Sequence, residues 1–519
     1  MTENSLYDKI IEAKTGVLIP AFKSGRTVES RYDPVRDAER IADGINENTR
    51  FIILLGIAGG TLINCILQKR NDIFILAVEK SSEDIDFLLQ IDCVKELSKK
   101  KNICFCTLDK LQEKITELYI PSFFGNLEVI EQRGWTTENT ALLQSINQNI
   151  SNALSIVSAD FSVQSHFGKL WQHNILSNLF YCISACDIKD NFSQDKRISA
   201  VFAAGPSLDS SLEIIKSNRT GYFVIATDTG FSVLLSNNII PDAVISIDGQ
   251  YVSCSHFIQS KSFDFSNTEF LFDLSANSSA VKKLVKQGAK VSFFKSGHPF
   301  SEYADSYLGL NLPYLYSGSG TVTIAAVDYA IKCGFKEINV FGADFAYING
   351  KPYAKGTYLD KLYNSAASRN EASEQKFCAL QFRTELQVLG NKRYTTSILD
   401  GYRKSFEEFI LKYGNGVSLK KEGDIYVINI AGCRADIHGN RHCETEQSEG
   451  EAIHNFIKTF SFDKSPAHFS TITDFSQKDI SLLPLISWIR THDNNNKADF
   501  NYYYTKAVNY FDKWLKRIK

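Results

Sequence analysis

The sequence carries no surplus of either charge. Its 519 residues include 57 lysines and arginines against 59 aspartates and glutamates, which gives a formal net charge of -2. A chain without a strong positive field has no general means of holding a phosphate backbone, so this balance argues against a nucleic-acid partner. Because 44% of the residues are hydrophobic, the chain can still bury a large core, and its length predicts two to four domains.

Cysteine pairs with the spacing of a zinc site are also missing. The 11 cysteines are odd in number and scattered, and Cys104 and Cys106 are not spaced as zinc ligands are. The segment HGNRHC at 438–443 sets two histidines four residues apart, but the glycine and asparagine between them favour a loop. We therefore expect reduced thiols, no metal site and no cofactor.

A long hydrophobic run is absent as well. The longest, FIILLGIAGGTLINCIL at 51–67, is shorter than the about 20 residues of a membrane span and contains three glycines. The opening segment MTENSLYDKIIEAK is polar and lacks the apolar region of a signal peptide. These absences predict a cytoplasmic protein with no membrane partner.

Apolar runs alternate with helical patterns through the middle of the chain, which predicts an α/β fold with a parallel sheet. We expect an N-terminal Rossmann-like domain at 1–165, a central domain at 166–395 and a mostly helical C-terminal region at 396–519. Six runs of the central domain are predicted strands: ISAVFAA, YFVIAT, DAVISID, EFLFD, AKVSFFK and EINVFG.

The N-terminal region contains half of a dinucleotide-binding pattern. The strand-like FIILL leads into Gly56, Gly59 and Gly60 before a predicted helix, and Glu79 follows about 20 residues later. The glycine spacing departs from GxGxxG. Two interpretations stay open: a nucleotide site, or glycines that allow a helix to pack closely.

The first central strand ends in GPSL. Gly205 lets a ligand approach the backbone, and Pro206 suits the first turn of a helix. We expect the amides of Ser207 and Leu208 to point outward and bind an anion. The alternative is a capped helix start without a ligand.

Polar residues follow other central strands at the same edge of the predicted sheet, where ligands of such sheets bind. Thr227, Asp228 and Thr229 follow the second strand, Asp248 the third and Asp344 the last. A single aspartate in such a place is commonly a helix cap, but three predict a shared site.

A second helix start is rich in glycine and serine. The loop that precedes the apolar helix VTIAAVDYAIK offers amides and hydroxyls to an anion, or else is a plain loop with a capping threonine. Its residues are Ser317, Gly318, Ser319, Gly320 and Thr321.

These motifs together resemble the motility accessory factors (Maf), flagellin glycosyltransferases related to bacterial sialyltransferases. The resemblance rests on GPSL, TDTG, PDAVISID and SGSGTVTIAAVDYAIKCGFKEINVFGADFAYINGKPYAKGT. SRYDPVRDAER and GIAGG resemble the family's N-terminal domain, and VINIAGCRADIHG resembles its C-terminal part. The likeness therefore spans most of the chain and implies a sialyltransferase-like, Rossmann-like central domain.

The resemblance implies transfer of a nonulosonic acid, such as pseudaminic or legionaminic acid, from its CMP conjugate to Ser or Thr of flagellin, in support of flagellum assembly and motility. It implies that Tyr347 and Tyr353 are catalytic and hold the leaving phosphate, and that the GPSL loop and the loop rich in glycine and serine bind the substrate. The residues of these two loops are Gly205, Pro206, Ser207, Leu208, Ser317, Gly318, Ser319, Gly320 and Thr321. From their places at the strand ends we also expect Asp344 and Asp248 to be catalytic and Thr227, Asp228 and Thr229 to bind the substrate.

Departures from the family pattern leave the details of donor binding open. Asparagines of the sialyltransferases fall at Ala204, Asp228 and Asp248, and the sialyltransferase histidine has no counterpart at the matching place in this sequence. His256, His298, Asp248 and Asp344 remain candidates for the general base. Because CMP carries one phosphate, the chemistry does not demand a divalent metal.

Two other functions fit parts of the pattern. The same GPSL fold resembles 6-hydroxymethylpterin pyrophosphokinases, which would use the aspartates to hold magnesium and ATP, although that activity leaves the flanking regions unexplained. A flagellin-binding chaperone that has kept the fold without the chemistry would account for the missing histidine.

Overall fold

The computed structural model describes residues 5–184, 197–258, 263–318, 320–414, 416–431, 449–460, 474–493 and 499–518. The chain divides into two compact units. The N-terminal unit consists mainly of Met1–Lys169 and Phe460–Arg517, and the central unit of Leu170–Thr459.

The first part of the chain alternates strands and helices. Its elements are β1 (Tyr7–Glu12), β2 (Leu18–Phe22), α1 (Pro34–Asp43), β3 (Thr49–Leu55), α2 (Thr61–Lys69), β4 (Phe74–Glu79), α3 (Ser82–Leu88), α4 (Asp92–Leu97), β5 (Ile103–Thr107), α5 (Leu111–Leu118), α6 (Pro121–Phe124), β6 (Asn126–Glu131), α7 (Arg133–Glu138) and α8 (Leu143–Ser184).

The middle of the chain continues the alternation. Its elements are β7 (Ile198–Phe202), α9 (Leu208–Ser217), β8 (Tyr222–Thr227), α10 (Asp228–Ser236), β9 (Ala243–Ser246), β10 (Glu269–Asp273), α11 (Ser278–Lys286), β11 (Lys290–Phe294), α12 (Pro299–Leu308), α13 (Val322–Lys332), β12 (Glu337–Phe341), β13 (Tyr347–Ile348), α14 (Tyr358–Ser365), α15 (Ser373–Gln381), β14 (Gln387–Gly390) and β15 (Arg393–Thr395).

The remaining elements are mostly helical. They are α16 (Ser397–Lys412), β16 (Val417–Glu422), β17 (Ile425–Ile430), α17 (Glu449–Lys458), α18 (Gln477–His492) and α19 (Phe500–Ile518). The sequence placed all of them in one C-terminal region. In the structure α16, β16, β17 and α17 belong to the central unit, and α18 and most of α19 belong to the N-terminal unit.

The N-terminal unit is built on a parallel sheet with the strand order β5-β4-β3-β6. Strand β4 is buried throughout and β3 almost throughout, because helices cover both faces of such a sheet. This arrangement confirms the predicted Rossmann-like fold. A separate antiparallel hairpin is formed by β1 and β2.

The central unit contains an eight-stranded sheet of order β11-β10-β9-β8-β7-β12-β17-β16. The six predicted strands are all present, parallel and nearly continuously buried. Strands β17 and β16 extend the sheet in antiparallel fashion. The α/β fold class with a central parallel sheet is therefore confirmed.

The direction of chain progression reverses between β7 and β12. From β7 the chain builds the sheet outward to β11, and it then returns to add β12 on the other side of β7. Ligands of doubly wound sheets bind beyond the carboxyl ends of the strands at such a reversal. The loops after β7 and β12 are therefore where a site is expected.

Of the helices in the described ranges, none combines the length and the apolarity that crossing a bilayer requires.

Candidate functional site

The ends of β7 and β12 touch directly. The amide of Gly205 donates to the carbonyl of Gly342 at 2.8 Å. A Cβ atom on Gly205 would overlap that carbonyl and the Asp344 carboxylate, and a Cβ on Gly342, whose φ is +67°, would lie 2.8 Å from the carbonyl oxygen of Ala203. Both positions therefore require glycine for the two strand ends to meet.

The GPSL turn is occupied by a carboxylate of the protein itself. The Ser207 amide donates to Oδ2 of Asp344 at 2.8 Å, and the Leu208 amide donates to the Gly205 carbonyl at 3.0 Å. The prediction that these two amides are bare and point outward is therefore wrong. Asp344 is buried, and burial raises the pKa of its carboxyl, while hydrogen bonding from Ser207 opposes that shift. Its visible role is to fix the start of α9 to the end of β12.

A cavity of about 180 Å³ opens at this junction. It brings together four of the residues predicted from sequence, Gly205, Asp344, Tyr347 and Tyr353. The full lining is Ala203, Ala204, Gly205, Thr323, Gly342, Ala343, Asp344, Phe345, Ala346, Tyr347, Pro352, Tyr353 and Leu399.

The start of α13 offers the free amides that α9 lacks. Gly320 and Thr321 donate to the Ser317 carbonyl, so the loop folds onto itself, and the Thr321 hydroxyl caps the helix by accepting from Ile324 at 3.4 Å. The amides of Val322 and Thr323 meet no acceptor among the described residues, and Thr323 lines the cavity. The anion site predicted at a helix start therefore fits α13 better than α9. Ser319 lies outside the described residues, as does the segment 438–443.

The two predicted tyrosines remain protonated donors. Burial, followed by the neighbouring Tyr358, Tyr347 and Asp228, raises the pKa of Tyr353 to about 12. Burial likewise raises the pKa of Tyr347, partly offset by Arg383. Phenols with such pKa values keep their protons at neutral pH, so each can donate a hydrogen bond to an anion.

The polar residues after β8 are held by internal hydrogen bonds. Thr227 caps α10, since its hydroxyl accepts from Gly230 at 3.1 Å. The buried Asp228 accepts from the Thr229 amide at 2.7 Å and from the Ser246 hydroxyl at 2.8 Å. These bonds position the start of α10, and Thr229 is the least buried of the three residues.

Asp248 lies in the same electrostatic neighbourhood. Its Oδ1 accepts from the Gln250 amide at 2.9 Å. Burial raises the pKa of this carboxyl and Asp228 adds to the rise, whereas His256 opposes it. Asp228 and Asp248 are thus close enough to interact electrostatically. Of the three predicted carboxylates, only Asp344 is part of the cavity lining.

His298, one of the candidate bases, has a structural role. It caps α12, and its Nδ1 accepts from the Phe300 amide at 3.2 Å. Burial lowers the pKa of this imidazole to about 3, so it stays neutral at physiological pH. A neutral ring whose lone pair is already used is a poor proton acceptor.

Sequence reasoning missed Tyr358 and Tyr402. Both contribute to the raised pKa of Tyr353. Asp248 in turn contributes to the raised pKa of Tyr358. Tyr358 opens α14 directly after its capping residue Thr357, so KGTY carried a helix-start signal close to the tyrosine loop. Tyr402 lies on α16, which no local pattern linked to the site.

The glycine turn of the N-terminal unit is likewise filled from within. Glu79 accepts from the Ile57 amide at 2.7 Å and from the Trp135 indole at 2.7 Å, and Glu29 accepts from the Gly59 amide at 2.8 Å. A Cβ on Gly60 would lie 2.8 Å from Leu97 of α4. Of the two interpretations left open, these contacts favour glycines that allow close packing.

These two carboxylates should make the stability of the protein depend on pH. Burial raises the pKa of Glu29 and Glu79 to about 7 each, against about 4.3 in an unfolded chain. Between those values the folded chain binds more protons than the unfolded one. The free energy of unfolding should therefore fall as pH rises from about 4.5 to about 7, by on the order of 2 kcal/mol per group, and level off above.

Denaturant unfolding of the wild type, Glu79→Gln and Glu113→Gln across that pH range measures this dependence. Glu113 is an exposed glutamate of the same unit, so its variant should keep the wild-type slope. Glu79→Gln should have a flatter profile. A slope in Glu79→Gln equal to that of the wild type would contradict the assignment.

The chain is similar to one described protein family and to proteins of a bacterium. Residues 173–350 match the family model described as 6-hydroxymethylpterin diphosphokinase MptE-like. An uncharacterized protein of Treponema pallidum (strain Nichols) is 38% identical over 148 residues, which are 28% of this chain and 70% of that protein. The chain belongs to the family of this treponemal protein.

Two further uncharacterized proteins of the same organism match. One is 40% identical over 141 residues, which are 27% of this chain and 50% of that protein. The other is 24% identical over 236 residues, which are 43% of this chain and 47% of that protein. The matches thus span about half the length of each of these two relatives.

A solved structure has the same fold. It is the MAf glycosyltransferase from Magnetospirillum magneticum AMB-1, which is 12% identical, with a TM-score of 0.55 over 100% of this chain and 87% of that chain. At this identity the likeness concerns the fold. The relation to the MptE-like family and to the Maf fold, predicted from the motifs, is confirmed.

Proposed function

We propose that the central unit is a glycosyltransferase that moves a nonulosonic acid, such as pseudaminic or legionaminic acid, from its CMP conjugate to Ser or Thr hydroxyls of flagellin. The observation that carries the proposal is the cavity at the β7/β12 reversal, where the start of α13 and two tyrosines converge. The fold shared with a Maf glycosyltransferase supports the reaction class.

The arrangement suits departure of a nucleoside monophosphate. When the bond from the anomeric carbon to the phosphate oxygen breaks, the electron pair goes to the phosphate and positive charge builds on the sugar. The amides of Val322 and Thr323 at the start of α13, with the hydroxyls of Tyr347 and Tyr353, would donate to that phosphate. Fixed donors aimed at developing charge lower the barrier without reorganisation.

The GPSL turn contributes to this mechanism by shape. Gly205 allows the end of β12 to approach, and Asp344 holds the Ser207 amide, so the cavity wall is preformed before a ligand arrives. We retain Asp344 in the site as a positioning group. A monophosphate leaving group places no adjacent charges that a metal would have to neutralise, so we expect metal-independent transfer.

The match to the MptE-like family favours a second candidate, a pterin diphosphokinase that uses ATP and magnesium. That chemistry would need strand-end carboxylates free to bind the metal. Asp228 accepts hydrogen bonds from Thr229 and Ser246, and Asp344 accepts one from Ser207. These internal bonds compete with metal binding, which is why we place this function second.

Intact mass spectrometry of flagellin separates the candidates. Flagellin is incubated with the protein and CMP-pseudaminic or CMP-legionaminic acid, with and without EDTA. We expect a mass increase by whole nonulosonic acid residues that EDTA does not abolish. Release of AMP from ATP and magnesium in the presence of 6-hydroxymethylpterin would support the diphosphokinase instead. Tight flagellin binding with unchanged mass would support the chaperone.

A further inference from the structure

His256 is a buried histidine beside the candidate site. It lies in the short 3-10 helix Tyr251–Phe257, which follows the loop that carries Asp248. Its ring meets the ring of Tyr358 edge to face, with centroids 4.8 Å apart. His256 also acts electrostatically on Asp248. His256 therefore lies close to both Asp248 and Tyr358.

The hydrogen bonding of this imidazole is incomplete. The side chain is only 5% exposed. Its Nε2 is 3.5 Å from the Thr229 hydroxyl, a long contact, and its Nδ1 has no partner among the described residues. Buried polar atoms in folded proteins are nearly always hydrogen bonded. A buried imidazole nitrogen without a protein partner is available to accept a hydrogen bond or a proton from a bound ligand.

The hydrogen bonds of Thr229 determine which nitrogen of the His256 ring keeps its lone pair. The Thr229 hydroxyl donates to Oδ1 of Asp228 at 3.2 Å, so its oxygen can only accept from His256. Nε2 then carries the hydrogen, and the lone pair lies on Nδ1. Asp228 is itself held by the Ser246 hydroxyl at 2.8 Å. The aspartate and the threonine thus orient the ring.

We propose that His256 is the general base that takes the proton of the acceptor hydroxyl, an assignment that rests on the proposed glycosyl transfer. The hydroxyl oxygen forms the new bond to the anomeric carbon, and the bond to the CMP phosphate oxygen breaks with its electron pair staying on CMP. The hydroxyl proton moves to Nδ1 and later to water. Nδ1 is buried, so neighbouring side chains have to move before the acceptor hydroxyl can reach it.

Two carboxylates lie near the ring. Asp228 is connected to Nε2 through the Thr229 hydroxyl, and Asp248 is close enough to interact electrostatically with His256. The other candidates are already engaged. Nε2 of His298 also lacks a partner in the described part of the chain, but its Nδ1 accepts from the Phe300 amide as a helix cap. Asp344 accepts from the Ser207 amide.

The test compares the wild type with His256→Gln, His256→Ala and the control His166→Gln, which alters an exposed histidine of the N-terminal unit. Transfer from CMP-pseudaminic or CMP-legionaminic acid to flagellin and thermal stabilisation by CMP are both measured. We expect kcat to fall by on the order of 100-fold or more in both His256 variants, with CMP stabilisation retained. Added imidazole should restore part of the activity of His256→Ala.

The outcomes separate this assignment from the proposed function. Wild-type kcat in His256→Gln with CMP stabilisation intact would overturn the role of His256 and leave the glycosyltransferase standing. If His256→Gln fails to fold, the test rests on the recovery of His256→Ala activity by added imidazole. A folded His256→Ala variant whose activity imidazole does not restore would contradict the proposal. A wild type that neither binds CMP nor modifies flagellin would overturn the proposed function and this assignment with it.

Discussion

Replacing Tyr353 by phenylalanine should slow sugar transfer by on the order of 100-fold, the loss seen when one fixed donor to a developing charge is removed. Tyr353 lines the cavity, and its raised pKa keeps the hydroxyl protonated at neutral pH, so that it can donate a hydrogen bond. The ring remains, so packing should change little. The measurement is kcat at saturating CMP-nonulosonic acid.

The matched control is Tyr307→Phe, which removes the same hydroxyl from an exposed tyrosine of α12. This variant should keep wild-type kcat, and the thermal unfolding midpoints of both variants should lie close to that of the wild type. Full activity in Tyr353→Phe would remove this tyrosine from the mechanism.

A methyl group added at Gly205 should lower both the stability and the transfer activity of the protein because it overlaps neighbouring atoms. The new Cβ would overlap both the Asp344 carboxylate and the Gly342 carbonyl, so the ends of β7 and β12 would have to separate. Overpacking of this kind costs about 1–3 kcal/mol, and a displacement of about 1 Å at a reacting centre costs about 100-fold in rate. We expect Gly205→Ala to lose stability, measured by denaturant unfolding, and to lose most of its transfer activity.

Gly401 provides the control for that substitution. It lies in α16, and a Cβ there would meet nothing within 4 Å. Alanine at a helical glycine position stabilises by about 0.5–1 kcal/mol, so Gly401→Ala should be slightly more stable and fully active. A Gly205→Ala variant that behaved like Gly401→Ala would show that the two strand ends do not need their close contact.

The strands of the central sheet could be predicted because their signal is local. Runs such as YFVIAT are continuously apolar, as strands covered on both faces must be, and they end in polar residues where the sheet ends. The destination of the C-terminal helices could not be predicted in the same way. Helix α18 packs with the N-terminal unit through contacts that span the chain, such as that of Arg490 with the Ser122 carbonyl at 3.0 Å.

The sequence predicted the local turns of the candidate site but not the long-range hydrogen bonds that join them. The GPSL motif correctly indicated a tight turn between a strand and a helix. It could not reveal that Asp344, 137 residues away, would accept from the Ser207 amide. In the N-terminal unit, the Gly59 amide likewise donates to a distant carboxylate, that of Glu29, 30 residues away. A motif specifies the local backbone, whereas long-range contacts decide whether its donors remain free for a ligand.

The position of CMP decides whether this cavity holds the sugar donor, and a crystal structure of the protein with CMP at millimolar concentration would reveal it. We expect the phosphate in the cavity between β7 and β12, within hydrogen-bond distance of the amides of Val322 and Thr323 and of the Tyr353 hydroxyl. CMP bound at the glycine turn of the N-terminal unit, or a cavity that stays empty while flagellin is still modified, would show that the donor binds elsewhere.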